Sequence, residues 1–447
     1  MTLSTVPRYD GPSSVVGDRA VVVGASVSGL LAARVLADAF ESVTVIDRDS
    51  LPTEPVPRRG VPQSAHAHLM IDAGRVTVDD LFPSLSEDLL AAGALQLDAS
   101  RDLNAYVNGD FLEFEPLPSP LYTLTRPLFE AVVRDSLDAF ERVEIRAECP
   151  LLDYRFDEDA GRVTGVRCGT AGAAAEIPAD LVVDATGRAS RTPRWLTRHG
   201  YAAPEVDEVT IDLAYTTAMV ERPPSDRRAY FLQPDPPRTR GCFVFPVEGD
   251  RWIVTMNGMH GDHAPTDPAG FVEYARGLPV SDVCDLLEAN RMVGEEALRY
   301  PFPASRRNRY WDLDEFPSGL LVVGDAVSSF NPIYGQGMSV AALESLLLHH
   351  ELADGGLDGL WERYVSKATA VVETAWLLSV GADFKFPQTT GPKPRGVDLF
   401  GRYVDRIATR AHSDGVLSRS LREVLMMDKP ATSLLAPGVL WRVFGPA

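Results

Sequence analysis

Three short stretches of the 447-residue chain, at 20–24, 181–184 and 320–323, are continuous runs of β-forming residues, apolar but for Asp184 at the end of the second, and stand beside segments of helical period. Runs of this length predict strands of a parallel sheet covered on both faces. The first leads into a helix through residue 40 and a second strand at 43–47. The third precedes a helix at 338–350. Between the second and third runs the period changes to two. Residues 210–220 and the stretch GCFVFPVEGDRWIVTMNG alternate, and Glu248-Gly249-Asp250 supplies a hairpin turn. Phe243 and Phe245 share one face of the first hairpin strand, while Trp252, Val254 and Met256 share a face of the second. YTLTRPLFEAVVRDSL predicts a strand and then a helix from about Pro127, and PTDPAGFVEYARGLP a short helix between prolines. Beyond residue 350 the pattern is helical at 360–380, 397–409 and 416–426, broken by FPQTTGPKPRG. No repeat of 20–50 residues is visible.

Composition narrows the classes. Hydrophobic residues at 45% and charged residues at 24% are globular values. A balance of 43 basic to 63 acidic residues, net −20, repels phosphate backbones and anionic bilayers, so no nucleic-acid partner is expected. Cys149, Cys168, Cys242 and Cys284 are scattered, which argues against a disulfide framework or thiolate zinc site and for a reducing cytoplasm. No run of 18 uncharged apolar residues predicts a membrane span. Residues 1–17, rich in Ser, Pro and Gly, read as a flexible tail without signal-peptide pattern.

The candidate chemistry begins in VVVGASVSGLLAARVLADAFESVTVIDRD. Gly24 and Gly29 occupy the first and third positions of a dinucleotide fingerprint, and Ser26 replaces the middle glycine. The turn and helix start, Gly24 through Ser26, Val27, Ser28 and Gly29, would present N–H groups to a diphosphate. Asp47, ending the second strand, is placed to accept hydrogen bonds from a ribose. Ser28 stands where a G-x-S-x-G nucleophile elbow needs its second glycine, so that motif does not match. The stretch alone leaves the nucleotide open.

Downstream, Gly324-Asp325, Pro332 and Gly335-Gln336-Gly337-Met338 resemble the p-hydroxybenzoate-hydroxylase-like flavoprotein monooxygenases. The resemblance implies non-covalent FAD, with Asp325 on the ribitol and the 335–338 turn offering N–H groups to the flavin ring. Arg126, at the strand–helix junction, corresponds to an arginine on the FAD diphosphate, and Arg48 and Arg59 join the cofactor-binding set. Thr186-Gly187, in DATGRASR, departs from the family's mid-chain Asp-Gly. RRGVPQSAHAHLM, FPVEGDRWIVTMNG and GDAVSSFNPIYGQGMSVAALES together look like the flavin epoxidases of polyether polyketide biosynthesis, lasalocid and monensin type.

The fold so implied is α/β: a Rossmann-like FAD-binding domain from residues 18–70, 101–200 and 300–350, an antiparallel substrate domain from 71–100 and 201–299, and a helical region at 351–447. The activity implied uses NAD(P)H as a transient reductant and O2, through a flavin C4a-hydroperoxide, to epoxidise or hydroxylate a hydrophobic polyketide or terpenoid. Tyr334, Gly335, Gln336 and Gly337 form the expected flavin-facing loop, and Phe243, Phe245, Trp252 and Met256 the expected substrate wall. His66 and His68 have no third ligand nearby in sequence, so no metal is expected. Three rivals remain: a flavin reductase of isoprenoid double bonds, a flavin halogenase (whose W-x-W-x-I-P signature is absent), and a flavin-binding carrier without activity.

Overall fold

The continuous apolar runs pair with one another. Five strands, in the spatial order Val143–Arg146, Phe40–Ile46, Gly17–Val23, Leu181–Asp184 and Leu320–Val322, form a wholly parallel sheet in a computed structural model that describes residues 1–113, 120–169 and 173–445. Val21, Val22, Val182 and Val183 are fully buried, because helix Val27–Ala39 and the strand Arg162–Cys168 pack against the sheet and leave no polar side for alternation. Helix Val27–Ala39 packs on helix Gly337–Gly355, which in turn meets helices Asp72–Leu81 and Leu360–Asp383. Gly29 lets helix Val27–Ala39 start tight against the end of the first strand: a Cβ there would stand 1.8 Å from the Gly24 carbonyl oxygen.

The alternating segment becomes an eight-stranded mixed sheet. Its long members are Glu205–Glu221 and Met292–Arg309, followed in order by Arg251–Gly258, Arg240–Val247, Ala229–Leu232 and Leu103–Val107. Both faces of this sheet are covered. Phe243 and Phe245 join Tyr215, Ile253 and Val247 in the core shared with the parallel sheet. Trp252 and Met256 bury on the opposite face with Cys242, Val244 and the helices Pro268–Ala275 and Asp282–Ala289. The expected four-residue wall therefore divides. Cross-strand register is the reason: Pro246 pairs with Trp252 and Cys242 with Met256, and directly opposed residues project to the same side.

A small antiparallel sheet, Ala175–Pro178, Arg162–Cys168 and Leu151–Asp157, was not anticipated from the sequence. The C-terminal helices Val397–Ala411, Gly415–Leu425 and Pro437–Phe444 enclose a separate core around Ile407, Leu417, Leu421 and Val443. The first residues are not a loose tail. Val6 and Thr2 are buried, and Leu3 and Ser4 donate their N–H groups to the carbonyls of Met427 and Asp428 at 2.9 Å each. Backbone donors satisfied by the far end of the chain tie this segment down. Among the described residues, no helix is long and apolar enough to cross a membrane.

Candidate functional site

The carboxyl ends of the parallel strands lie along one edge of the sheet, where ligands of such folds bind. Four turns meet there: Gly24–Ser26, Asp47–Asp49, Ala185–Gly187 and Gly324–Asp325. Gly24 has φ +110°, and a Cβ on it would lie 2.5 Å from the Ala185 carbonyl oxygen, so the first and third turns touch only because no side chain intervenes.

Charged side chains knit this edge together. Asp47 accepts from the Ala25 N–H at 2.7 Å and the Asp49 N–H at 2.8 Å, and pairs with Arg58 at 3.2 Å. Arg58 also donates to the Ala25 carbonyl at 2.8 Å and to Glu130 at 3.2 Å. Ser26, the residue in place of the middle glycine, donates to Glu130 at 2.7 Å and accepts from Arg126 at 3.0 Å. Arg126 reaches Glu130 at 2.9 Å as well, four residues along one helix turn. Burial works against the Glu130 carboxylate, but Arg126 and Arg58 outweigh it and hold its pKa below the usual range. The two arginines therefore sit partly neutralised beside the fingerprint turn.

Asp325 is open to solvent yet surrounded by protein, the situation of a side chain on the floor of a cleft. Burial raises its pKa, and Arg126 and Arg188 oppose that shift from either side. Arg188 is anchored by the Ala304 carbonyl at 2.7 Å and Ser329 at 3.0 Å, over the Phe302 ring. Beneath Asp325, the Glu344 carboxyl takes the Gly324 N–H at 2.7 Å, and burial lifts its pKa to about 8. Thr186 bonds Asp184 through its N–H and its hydroxyl, at 2.9 and 2.6 Å, and Ser190 and Thr192 complete that buried carboxylate's partners.

Farther along, Pro332–Tyr334 forms a 3-10 turn that ends on Gly335 at φ +69°, and Gly337 opens the long helix. Gln336 is buried, Met338 half-buried, and the Tyr334 hydroxyl donates to Asp383 at 3.2 Å. Opposite, His66, Tyr215, Tyr300, Phe243 and Phe231 form one aromatic group, with ring centroids 5.0–6.3 Å apart. His66 shares a hydrogen bond with Thr217 at 2.7 Å, and burial lowers its pKa to about 4. His68 donates to the His66 carbonyl at 2.9 Å and is lowered to about 3, by burial and then by Arg126. Both imidazoles are neutral at neutral pH and serve as structural hydrogen-bonding groups.

Most residues expected from the sequence thus meet at one edge: Gly24, Ser26, Val27, Ser28, Gly29, Asp47, Arg126, Thr186, Gly187, Gly324 and Asp325. Arg48 lies in the Asp47–Asp49 turn at this edge and is exposed; Arg59 is exposed too, and its neighbour Arg58 is the one that pairs with Asp47. Glu130, Arg188 and Glu344 were missed; only Glu130 carried a sequence signal, its four-residue spacing from Arg126.

The edge fits a long anionic dinucleotide. The Ser28 hydroxyl is buried at the fingerprint turn without a partner among the described residues, and Arg126, Arg58 and Arg188 supply positive charge from Ser26 to Asp325. The sequence matches the FAD binding domain family over residues 19–376. The chain belongs to that family. FAD is its cofactor, and the fold is that of flavin monooxygenases. Protein Rv3254 of Mycobacterium tuberculosis is 33% identical over 435 residues, 92% of this chain and 90% of that protein. Digeranylgeranylglycerophospholipid reductase 1 of Methanopyrus kandleri is 27% identical over 342 residues, 72% of this chain and 77% of its own. Among solved structures, p-nitrophenol 4-monooxygenase PnpA of Pseudomonas putida superposes with a TM-score of 0.63 at 18% identity, over 92% of this chain and 99% of that one.

Proposed function

We propose that the protein is an FAD-dependent monooxygenase that takes electrons from NAD(P)H and inserts one atom of O2 into a hydrophobic small molecule, a polyketide or terpenoid, by epoxidation or hydroxylation. The observation that carries this reading is the aromatic group Tyr215, Phe231 and Phe243 on the mixed sheet, with Tyr215 in electrostatic reach of Tyr334 at the start of the Tyr334–Gly337 turn. Bound FAD supplies the activation of oxygen. The chain's own residues do the rest. Gly24, Ser28, Asp47 and Arg126 hold the adenosine-diphosphate half, and Asp325 holds the ribitol. The aromatic face excludes water and presents the substrate carbon, so an oxygen transfer needs no acid–base triad. The finer likeness to polyether epoxidases rests on the motifs at 58–70, 245–258 and 324–345.

A second reading, a reductase acting on an isoprenoid or polyketide double bond, is favoured by the 27% identity to the archaeal lipid reductase. Oxygen separates the two. FAD-loaded protein given NAD(P)H and a panel of polyene, terpenoid and phenolic compounds should consume O2 in step with NAD(P)H for at least one of them. Substrate-dependent turnover that continues without O2 selects the reductase.

A further inference from the structure

Asp383 closes the helix Leu360–Asp383, beyond residue 376 where the family match ends, and it is fully buried. Its Oδ1 accepts from the Asn331 side-chain amide at 2.7 Å and from the Tyr334 hydroxyl at 3.2 Å. Asn331 in turn accepts the Ile333 N–H at 3.1 Å. One carboxyl oxygen thereby fixes both ends of the Asn331–Tyr334 turn, which leads into the loop expected to face the flavin ring. The other oxygen, Oδ2, is buried and has no partner among the described residues. The Tyr215 hydroxyl, on the aromatic face of the mixed sheet, is also buried and unpartnered, and it lies within the electrostatic reach of Asp383. Buried polar atoms of native proteins are mostly completed by protein, ordered water or a ligand, so a substrate group that reaches these two has partners waiting for it.

We propose that Asp383 is a specificity-determining residue: Oδ1 fixes the Asn331–Tyr334 turn, and Oδ2, with the Tyr215 hydroxyl beside it, receives a hydroxyl group of the substrate. This deepens the monooxygenase reading and rests on it for the identity of the site. The substrate class narrows to hydrophobic molecules that carry an alcohol or phenol near the reacting carbon.

The proposal has a pH signature. Burial lifts the Asp383 pKa to about 7, against the two hydrogen bonds from Asn331 and Tyr334. With Oδ1 already accepting twice, a proton on the carboxyl resides on Oδ2. Below pH 7, Oδ2–H donates, and an ether oxygen can accept as well as an alcohol. Above pH 7, Oδ2 only accepts, and an alcohol alone can satisfy it. The neighbouring tyrosines do not titrate in this window. Tyr334 and Tyr215 are pushed well above 10 by burial and then by Asp383, and burial lowers the pKa of His260, whose ring packs on Phe386. Asn331 and Thr389 carry no charge.

The test uses FAD-loaded protein and two matched pairs, 2-naphthol with 2-methoxynaphthalene and geraniol with its methyl ether, with Kd read from flavin difference spectra. At pH 8.5 the alcohol of at least one pair should bind roughly tenfold tighter than its ether. At pH 6 the preference should fall to about threefold or less. In Asp383→Asn the preference should stay near unity at both pH values, and Tyr215→Phe, which leaves the turn's anchor intact, should weaken it by about threefold at pH 8.5. Thermal melts of both variants establish that they fold. A native protein that binds neither pair, or binds alcohol and ether alike at pH 8.5, overturns the proposal, as does an Asp383→Asn variant with unchanged preference. Oxygen uptake is recorded in parallel. Selective, pH-gated binding without oxygen uptake removes the monooxygenase reading alone, and oxygen uptake without alcohol preference removes this proposal alone.

Discussion

Arg58 and Arg59 are chemically identical neighbours, and only the path of the backbone decides which one meets Asp47 and Glu130. No periodicity exists in that loop to reveal it, so the sequence located the arginine pair but not the member that acts. Glu130 was readable, since Arg126 and a glutamate four residues on form a helical pair. Glu344 was not, because nothing local links it to Gly324. Two outcomes belong at this scale. Arg126→Ala should raise the Kd for FAD by roughly 10–100-fold, the worth of one charge-assisted bond, as read by flavin fluorescence on titration. Gly29→Ala should cost about 3 kcal/mol or more, because the obstruction is the Gly24 carbonyl, which cannot rotate away. A melting temperature for Gly29→Ala within a degree of the native value would refute that packing argument.

Among elements, the hairpin around Glu248–Asp250 is the instructive one. Alternation along each strand was legible, but the relation between the strands was misjudged. A three-residue turn already pairs Val247 with Arg251, hence Pro246 with Trp252, and that register places the tryptophan away from Phe243 and Phe245. The consequence is a division of effects. Trp252→Ala removes a fully buried indole and its bond to the Arg228 carbonyl, and should lower stability by about 3–5 kcal/mol. At a temperature where the variant remains folded, KM should be unchanged. Phe243→Ala, on the aromatic face, should raise KM for the hydrophobic substrate severalfold. Steady-state kinetics beside thermal melts on the two variants check both halves. Equal changes in KM would mean that the two faces of the sheet are not independent. The docked N-terminal segment was illegible for another reason: its composition is that of a linker, and its partners, Met427 and Asp428, lie at the other end of the chain.

For the molecule as a whole, the parallel sheet, the alternating sheet and the helical C-terminal region were all readable, because each rests on a periodicity that spans many residues. What no local pattern carried is the protonation of buried acids. Burial lifts Asp383 and Asp428 to about 7 and Glu344 to about 8, above the ordinary carboxyl values of the unfolded chain. Their neutral forms favour the folded state, so that contribution is complete below about pH 4 and is lost as the pH rises through 7 and 8. Burial lowers His66, His68 and the amino terminus, which gain stability as the pH rises over the same interval, so the acid contribution is read as a difference: the melting temperature of the native protein relative to Glu344→Gln should decline from pH 6 to pH 9. A native-minus-variant difference that climbs over that interval contradicts the sign.

The nucleotide edge draws Gly24, Asp47, Arg126, Gly187 and Asp325 from across the chain, and the strand Leu320–Val322 completes the sheet that Gly17–Val23 begins. A ribosome adding about 5–20 residues per second releases Gly24 roughly 15–60 s before Asp325, 301 positions later. For that interval the nascent chain has half of a binding cleft, with the apolar flank of Leu181–Asp184 uncovered. With Asp325 on the ribitol as proposed, the FAD cleft is complete only once translation has passed that residue, which makes cofactor loading a late event of biosynthesis.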